Sequence, residues 1–171
     1  LGFLLPLLES MKMDIAVNAK TMGNMQELGT AMYQVFGMFM DPDETYTLGL
    51  GLIVGAAVYC WCFVRRFEWG LEKNVLLRAG VPAFIILFFS VLFSFSAFPW
   101  DSIVTASGVI GMLGRFAGVI QFPWRFHIVS TILCVFLAVL GISILYESGH
   151  KKSGAIAAGT IAMLLALNVG L

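Results

Sequence analysis

The chain has 171 residues, 60 % of them hydrophobic and 12 % charged, and no formal net charge at neutral pH. A water-soluble domain carries about 25 % charged and about 45–50 % apolar residues, so the solvent that suits this composition is lipid. Zero net charge supplies no bulk field for a polyanion, and no nucleic-acid partner is expected.

In chain order, Leu1 to Ser10 reads "LGFLLPLLES". It lacks the basic start of a signal peptide. Residues 1–8 are expected to be the last turns of a truncated transmembrane helix, and the chain as a whole a fragment of a longer polytopic protein. Residues 9–46 then form an outward segment. Within it "MGNMQELGTAMYQVFGMFM", Met22 to Met40, suits a short helix lying in the interface, with its methionines, Phe36 and Phe39 dipping toward acyl chains. "DPDETYT" follows as a turn and N-cap.

Residues 47–171 hold the spans. A hydrocarbon core about 30 Å thick takes roughly 20 apolar residues in a helix. Four stretches approach this, near 47–64, 79–98, 126–146 and 154–171. None keeps the polar face of a surface helix. The expected fold is therefore all-α, a polytopic membrane protein of about four transmembrane helices. Between the second and third stretches, "PWDSIVTASGVIGMLGRFAGVIQF" is too polar and glycine-rich for an ordinary span, and an interfacial or re-entrant hairpin is expected. Trp100 and Trp124 are the expected interface anchors.

Short loops rich in Lys and Arg stay cytoplasmic. Arg65, Arg66, Lys73 and Arg78 cluster around the loop 65–78, and Lys151 and Lys152 in the loop 147–153. Those two loops are expected on the cytoplasmic side, and the segments Glu9 to Tyr46 and Pro99 to Arg125 on the outer side. The expected setting is a bacterial plasma membrane, with the chain integral to it and membrane lipids as its immediate partners.

Cys60, Cys62 and Cys134 lie in apolar runs, where a free thiol behaves as a small hydrophobe, so no disulfide framework is expected. The spans contain no Asp, Glu, Lys or Arg, which argues against an ion path within them. Gly51/Gly55 and Gly114/Gly118 form GxxxG pairs, read as close packing within the fold. Asp14, Glu27, Asp41, Asp43 and Glu44 read as solvated acids, with "DPDE" placed before a helix N-terminus. No motif for a metal, nucleotide or other cofactor is visible.

The most informative stretch opens the third span. Pro123 suits the first turn of a helix, which places Arg125 and His127 there too. A cation at that end opposes the helix dipole by about 0.3–1 kcal/mol. A phosphate would offset this, because free N–H groups and a guanidinium both bind it. Arg125, helped by Gln121 and Arg115, is thus a candidate lipid-phosphate site. The plain alternatives are snorkelling to ordinary headgroups or pairing with Asp101. For His127 a structural role outweighs a catalytic one.

"QFPWRF", Gln121 to Phe126, leading from a glycine-rich segment into a span, together with "LGFLLPLLES", resembles the bacterial multi-pass proteins labelled "6-pyruvoyl-tetrahydropterin synthase-related, membrane domain". These are similar to GT-C-type integral membrane glycosyltransferases. The pterin-synthase label does not carry over as an activity, since that chemistry needs a histidine cluster for zinc and the chain has 2 histidines, His127 and His150, expected on opposite sides. The GT-C resemblance implies an enzyme taking a sugar from a polyprenyl-phosphate donor on the outer face. Its catalytic acid would lie in an early outward loop, so no catalytic residue is assigned here. Two other classes stay open: a non-catalytic envelope scaffold, and a transporter or flippase, which would carry mid-membrane charges or broken helices in further segments.

Overall fold

The computed structural model describes residues 26, 29–31, 35, 48–118 and 125–169, with backbone alone at 113, 115–118, 168 and 169. These residues are all-α, in six helices: α1 (Leu50–Val64), α2 (Val75–Ser94), α3 (Trp100–Thr105), α4 (Gly108–Gly118), α5 (Phe126–Glu147) and α6 (Lys151–Val169). Two of them, α2 with 20 residues and α5 with 22, are long and apolar enough to cross a membrane. Helix α1, with 15 residues, spans about 22 Å at 1.5 Å per residue.

The helix limits follow local chemistry more closely than hydropathy. Helix α1 starts at Leu50 rather than near 47, because Gly49 sits at φ 81°, outside helical space. The second stretch, expected near 79–98, is displaced toward the N-terminus. Asn74 accepts the Leu77 N–H on its Oδ1 at 3.1 Å and so caps the start of α2. The end is set by pairing, since Thr30 N–H donates to the Ser94 carbonyl at 2.7 Å and Ser96 N–H donates to the Thr30 carbonyl at 3.1 Å. Helix α5 matches the expected 126–146 to within one residue. It stops at a turn where Gly149 takes φ 83° and its N–H reaches the Tyr146 carbonyl at 3.3 Å. Helix α6 begins at Lys151 instead of near 154, with Gly154 N–H donating to the His150 carbonyl at 3.0 Å.

The chain divides into two compact units. One contains α3 and α4. Trp100 is 3 % exposed and packs on Phe98, ring centroids 4.8 Å apart. Asp101 lies in the first turn of α3, where a carboxylate suits the dipole, and its Oδ1 accepts the Gln26 N–H at 3.3 Å. A turn at Ala106 and Gly108 (φ 72°) sends α4 back along α3. They close tightly because Gly114 presents no β-carbon to the Ile103 carbonyl, which would stand 2.7 Å from one. The expected hairpin between the second and third stretches is therefore a pair of short helices, and the Gly114 half of its GxxxG is a packing position.

The other unit contains α1, α2, α5 and α6. Helix α1 lies against both α5 and α6, and α5 against α6. Glycine and alanine set the spacing: a β-carbon at Gly55 would stand 2.6 Å from that of Ala138, and one at Gly141 would stand 2.8 Å from the Tyr59 backbone nitrogen. Gly51 meets Leu165 of α6. The Gly51/Gly55 pair thus serves packing within the fold. The core between these helices holds Tyr59, Cys62, Cys134, Leu137, Ile144 and Leu145. Helix α2 joins through Tyr59, whose ring occupies the space left by Gly80 and whose hydroxyl donates to the Leu77 carbonyl at 2.6 Å.

Candidate functional site

Helix α5 carries an inner stripe of His127, Ser130, Cys134, Leu137, Ala138, Gly141, Ile144 and Leu145. These recur at three- and four-residue steps, one side of an α-helix. The opposite side shows Ile128, Ile132, Val135, Phe136 and Val139. Helix α2 repeats the arrangement, with Leu77, Gly80, Ala83, Leu87, Ser90 and Ser94 inside and Ile85, Ile86, Phe88 and Phe89 outside. Small and polar side chains share the inner stripes with leucine and isoleucine, while large apolar side chains also cover the outward sides. A water-soluble fold keeps its outward sides polar, because each exposed aliphatic or aromatic side chain forgoes about 1.5–3 kcal/mol of burial. In lipid that penalty vanishes, and small residues are what helix contact favours.

The turn that opens α5 holds the candidate cation. Arg125 lies in a short 3₁₀ turn directly before Phe126 and is exposed. His127 follows within the first turn of α5 and is buried, 6 % exposed. The first carbonyls of α5 are covered by hydroxyls one turn on: Ser130 Oγ donates to the Phe126 carbonyl at 3.0 Å, and Thr131 Oγ1 to that of His127 at 2.8 Å. Phe126 meets Phe93 edge to face at 5.7 Å, and Phe93 continues to Phe89 at 5.9 Å. An aromatic row thus runs from the start of α5 along α2.

The other expected site residues are placed only in part. Arg115 has its backbone on α4. Gln121 and Trp124 lie outside the described residues, as do Asp14, Glu27, "DPDE", residues 1–8 and nearly all of Met22 to Met40. Trp100, expected as an interface anchor, has its indole covered by protein. The histidines stand near opposite ends of α5, a helix about 33 Å long at 1.5 Å per residue. Among the described residues no three His, Cys, Asp or Glu side chains gather to hold a metal ion.

The two basic loops meet. Trp69 of the first stacks on His150 of the second, ring centroids 4.3 Å apart, and Trp61 abuts Trp69 edge-on at 5.1 Å. Asn74 Nδ2 donates to Glu147 Oε2 at 3.4 Å. Loops 65–78 and 147–153 therefore lie at the same end of their unit. Beside them is a feature that reading the sequence missed. Tyr59, Cys60 and Phe63 of α1 and Val81, Phe84 and Ile85 of α2 line an apolar groove of about 250 Å³. Its signal, Gly80 opposite an aromatic ring, is visible only once α1 and α2 are paired.

Compared with known proteins, the chain matches no family model, no curated protein and no solved structure.

Proposed function

We propose that this chain is the membrane-embedded helical part of an envelope protein that binds a polyprenyl-phosphate-linked sugar at the outer membrane face, in the manner of a GT-C-type glycosyltransferase. The observation that carries the membrane reading is that α2 and α5 are long apolar helices whose outward sides expose large apolar side chains. The meeting of loops 65–78 and 147–153 fits a common cytoplasmic side, since their lysines and arginines are then retained together. The start of α5 then faces outward.

There Arg125 is exposed and adjoins the N-terminus of a long apolar helix. A lipid phosphate would meet the guanidinium and the positive end of the helix dipole together. The resemblance of "QFPWRF" and "LGFLLPLLES" to multi-pass proteins that are similar to GT-C-type glycosyltransferases suggests the kind of lipid. The catalytic acid is assigned to no residue of this chain. The test is Arg125→Ala in reconstituted protein, with binding of polyprenyl phosphate and of bulk anionic phospholipid measured side by side. The polyprenyl phosphate is expected to lose about tenfold in affinity, the scale of one charge-assisted contact, and the bulk lipid far less. Equal losses would reduce Arg125 to a headgroup contact and leave the scaffold reading in its place.

A further inference from the structure

The apolar groove between α1 and α2 carries cations at one end. On α1 its lining reaches Val64, and Arg65 and Arg66 follow directly. Arg65 is held by Glu68. Arg66 turns back toward the groove: its Nη1 donates to the Phe63 carbonyl at 2.7 Å, and its guanidinium carbon lies 4.1 Å from the centre of the Phe63 ring. Because Phe63 lines the groove, that charge is fixed at its mouth. A guanidinium offers five N–H donors, and the carbonyl takes one of them. On α2, Arg78 precedes Val81 and Ile85 by one and two helical turns, so it shares their face at the same end.

We infer that this groove binds one anionic phospholipid, with an acyl chain between α1 and α2 and its phosphate held by Arg66 and Arg78. The lining is hydrocarbon and aromatic, which suits a chain and offers nothing to a polar ligand. The mouth is cationic, which selects a headgroup of net negative charge. A zwitterionic lipid would fill the same groove but bring its own ammonium against the arginines, a like-charge contact that costs affinity. Arginine suits the role because its planar fork grips phosphate with two parallel hydrogen bonds. The inference rests on the membrane reading and is independent of Arg125.

Native mass spectrometry of the full chain released from detergent measures the first bound lipid directly. Phosphatidylglycerol is expected to bind about tenfold more tightly than phosphatidylcholine, the scale of one charge-assisted contact. Arg66→Gln with Arg78→Gln should remove that preference. Cys60→Phe, which fills the groove, should weaken both lipids. Lys151→Gln with Lys152→Gln should leave the preference intact. Circular dichroism of each variant guards against misfolding, and Arg66→Lys, which keeps the charge, should retain part of the preference. Equal binding of the two lipids, or an equal loss in the Lys151/Lys152 variant, overturns the site in favour of bulk charge. Extraction of the chain from membranes by alkaline carbonate would instead overturn the membrane reading beneath it.

Discussion

Helices α2 and α5 are both long and apolar, yet 44 % of the apolar stretch of α5 is buried inside the chain against 28 % of that of α2. Helix α5 meets α1 where small residues allow close approach, as at Gly141 on Tyr59 and Ala138 on Gly55. Helix α2 has Tyr59 of α1 laid over Gly80 and buries Leu77, Ala83 and Leu87, while Ile85, Ile86, Phe88 and Phe89 turn outward. The difference teaches that the closest helix contacts in this protein are made at its small residues. That is expected where the surrounding medium is as apolar as the side chains, so that close packing and hydrogen bonds supply the preference.

The largest expected effect comes from a charge on the outward side of α2. Ile86→Lys, near the helix centre and 52 % exposed, should cost about 2.5–3.5 kcal/mol of insertion free energy if that side meets acyl chains. An insertion assay on the full chain reads this directly. A change within about 0.5 kcal/mol, the range of an ordinary water-facing substitution, would reverse the reading of that exposed apolar side. Next comes the tight side of α5. Gly141→Leu must displace the Tyr59 backbone, which stands 2.8 Å from where a β-carbon would be. It should destabilise by about 1–3 kcal/mol, read as a lowered unfolding midpoint in detergent. Phe88→Leu on the outward side of α2 should move that midpoint little, and similar losses for both would erase the contrast between the helices.

The smallest effect concerns the link between them. Tyr59→Phe removes the hydroxyl that donates to the Leu77 carbonyl and should cost about 1 kcal/mol. Hydrogen exchange should rise in the first turns of α2 and stay unchanged in α5. Faster exchange spread evenly over both helices would mean that Tyr59 serves the common core instead of tethering α2.

Much of the fold was legible in the sequence because lipid-sized apolar runs and their flanking signals are local. Phe126 to Tyr146 was readable as a helix from its uninterrupted apolar run after Pro123, and its limits agree with α5 to one residue. The second stretch was displaced because two polar contacts, invisible to hydropathy, set its ends: the Asn74 cap and the pairing of Ser94 and Ser96 with Thr30. Of the candidate site, Pro123 pointed to a helix start near Arg125, which the sequence reading placed in the first turn and which stands just before Phe126. The cover over Trp100 was not, since an interfacial tryptophan and a packed one have the same sequence neighbours.

By itself, then, the sequence determined the all-α class, the long apolar helices and the basic loops, because each depends on residues within a few turns of one another. Tertiary structure alone decided which glycines touch backbone, which loops meet, and that Arg66 lies over Phe63, a residue that lines the groove between α1 and α2. The physical reason is the steepness of packing and of short-range electrostatics: both are fixed by separations of a few ångströms between residues that the chain itself holds far apart.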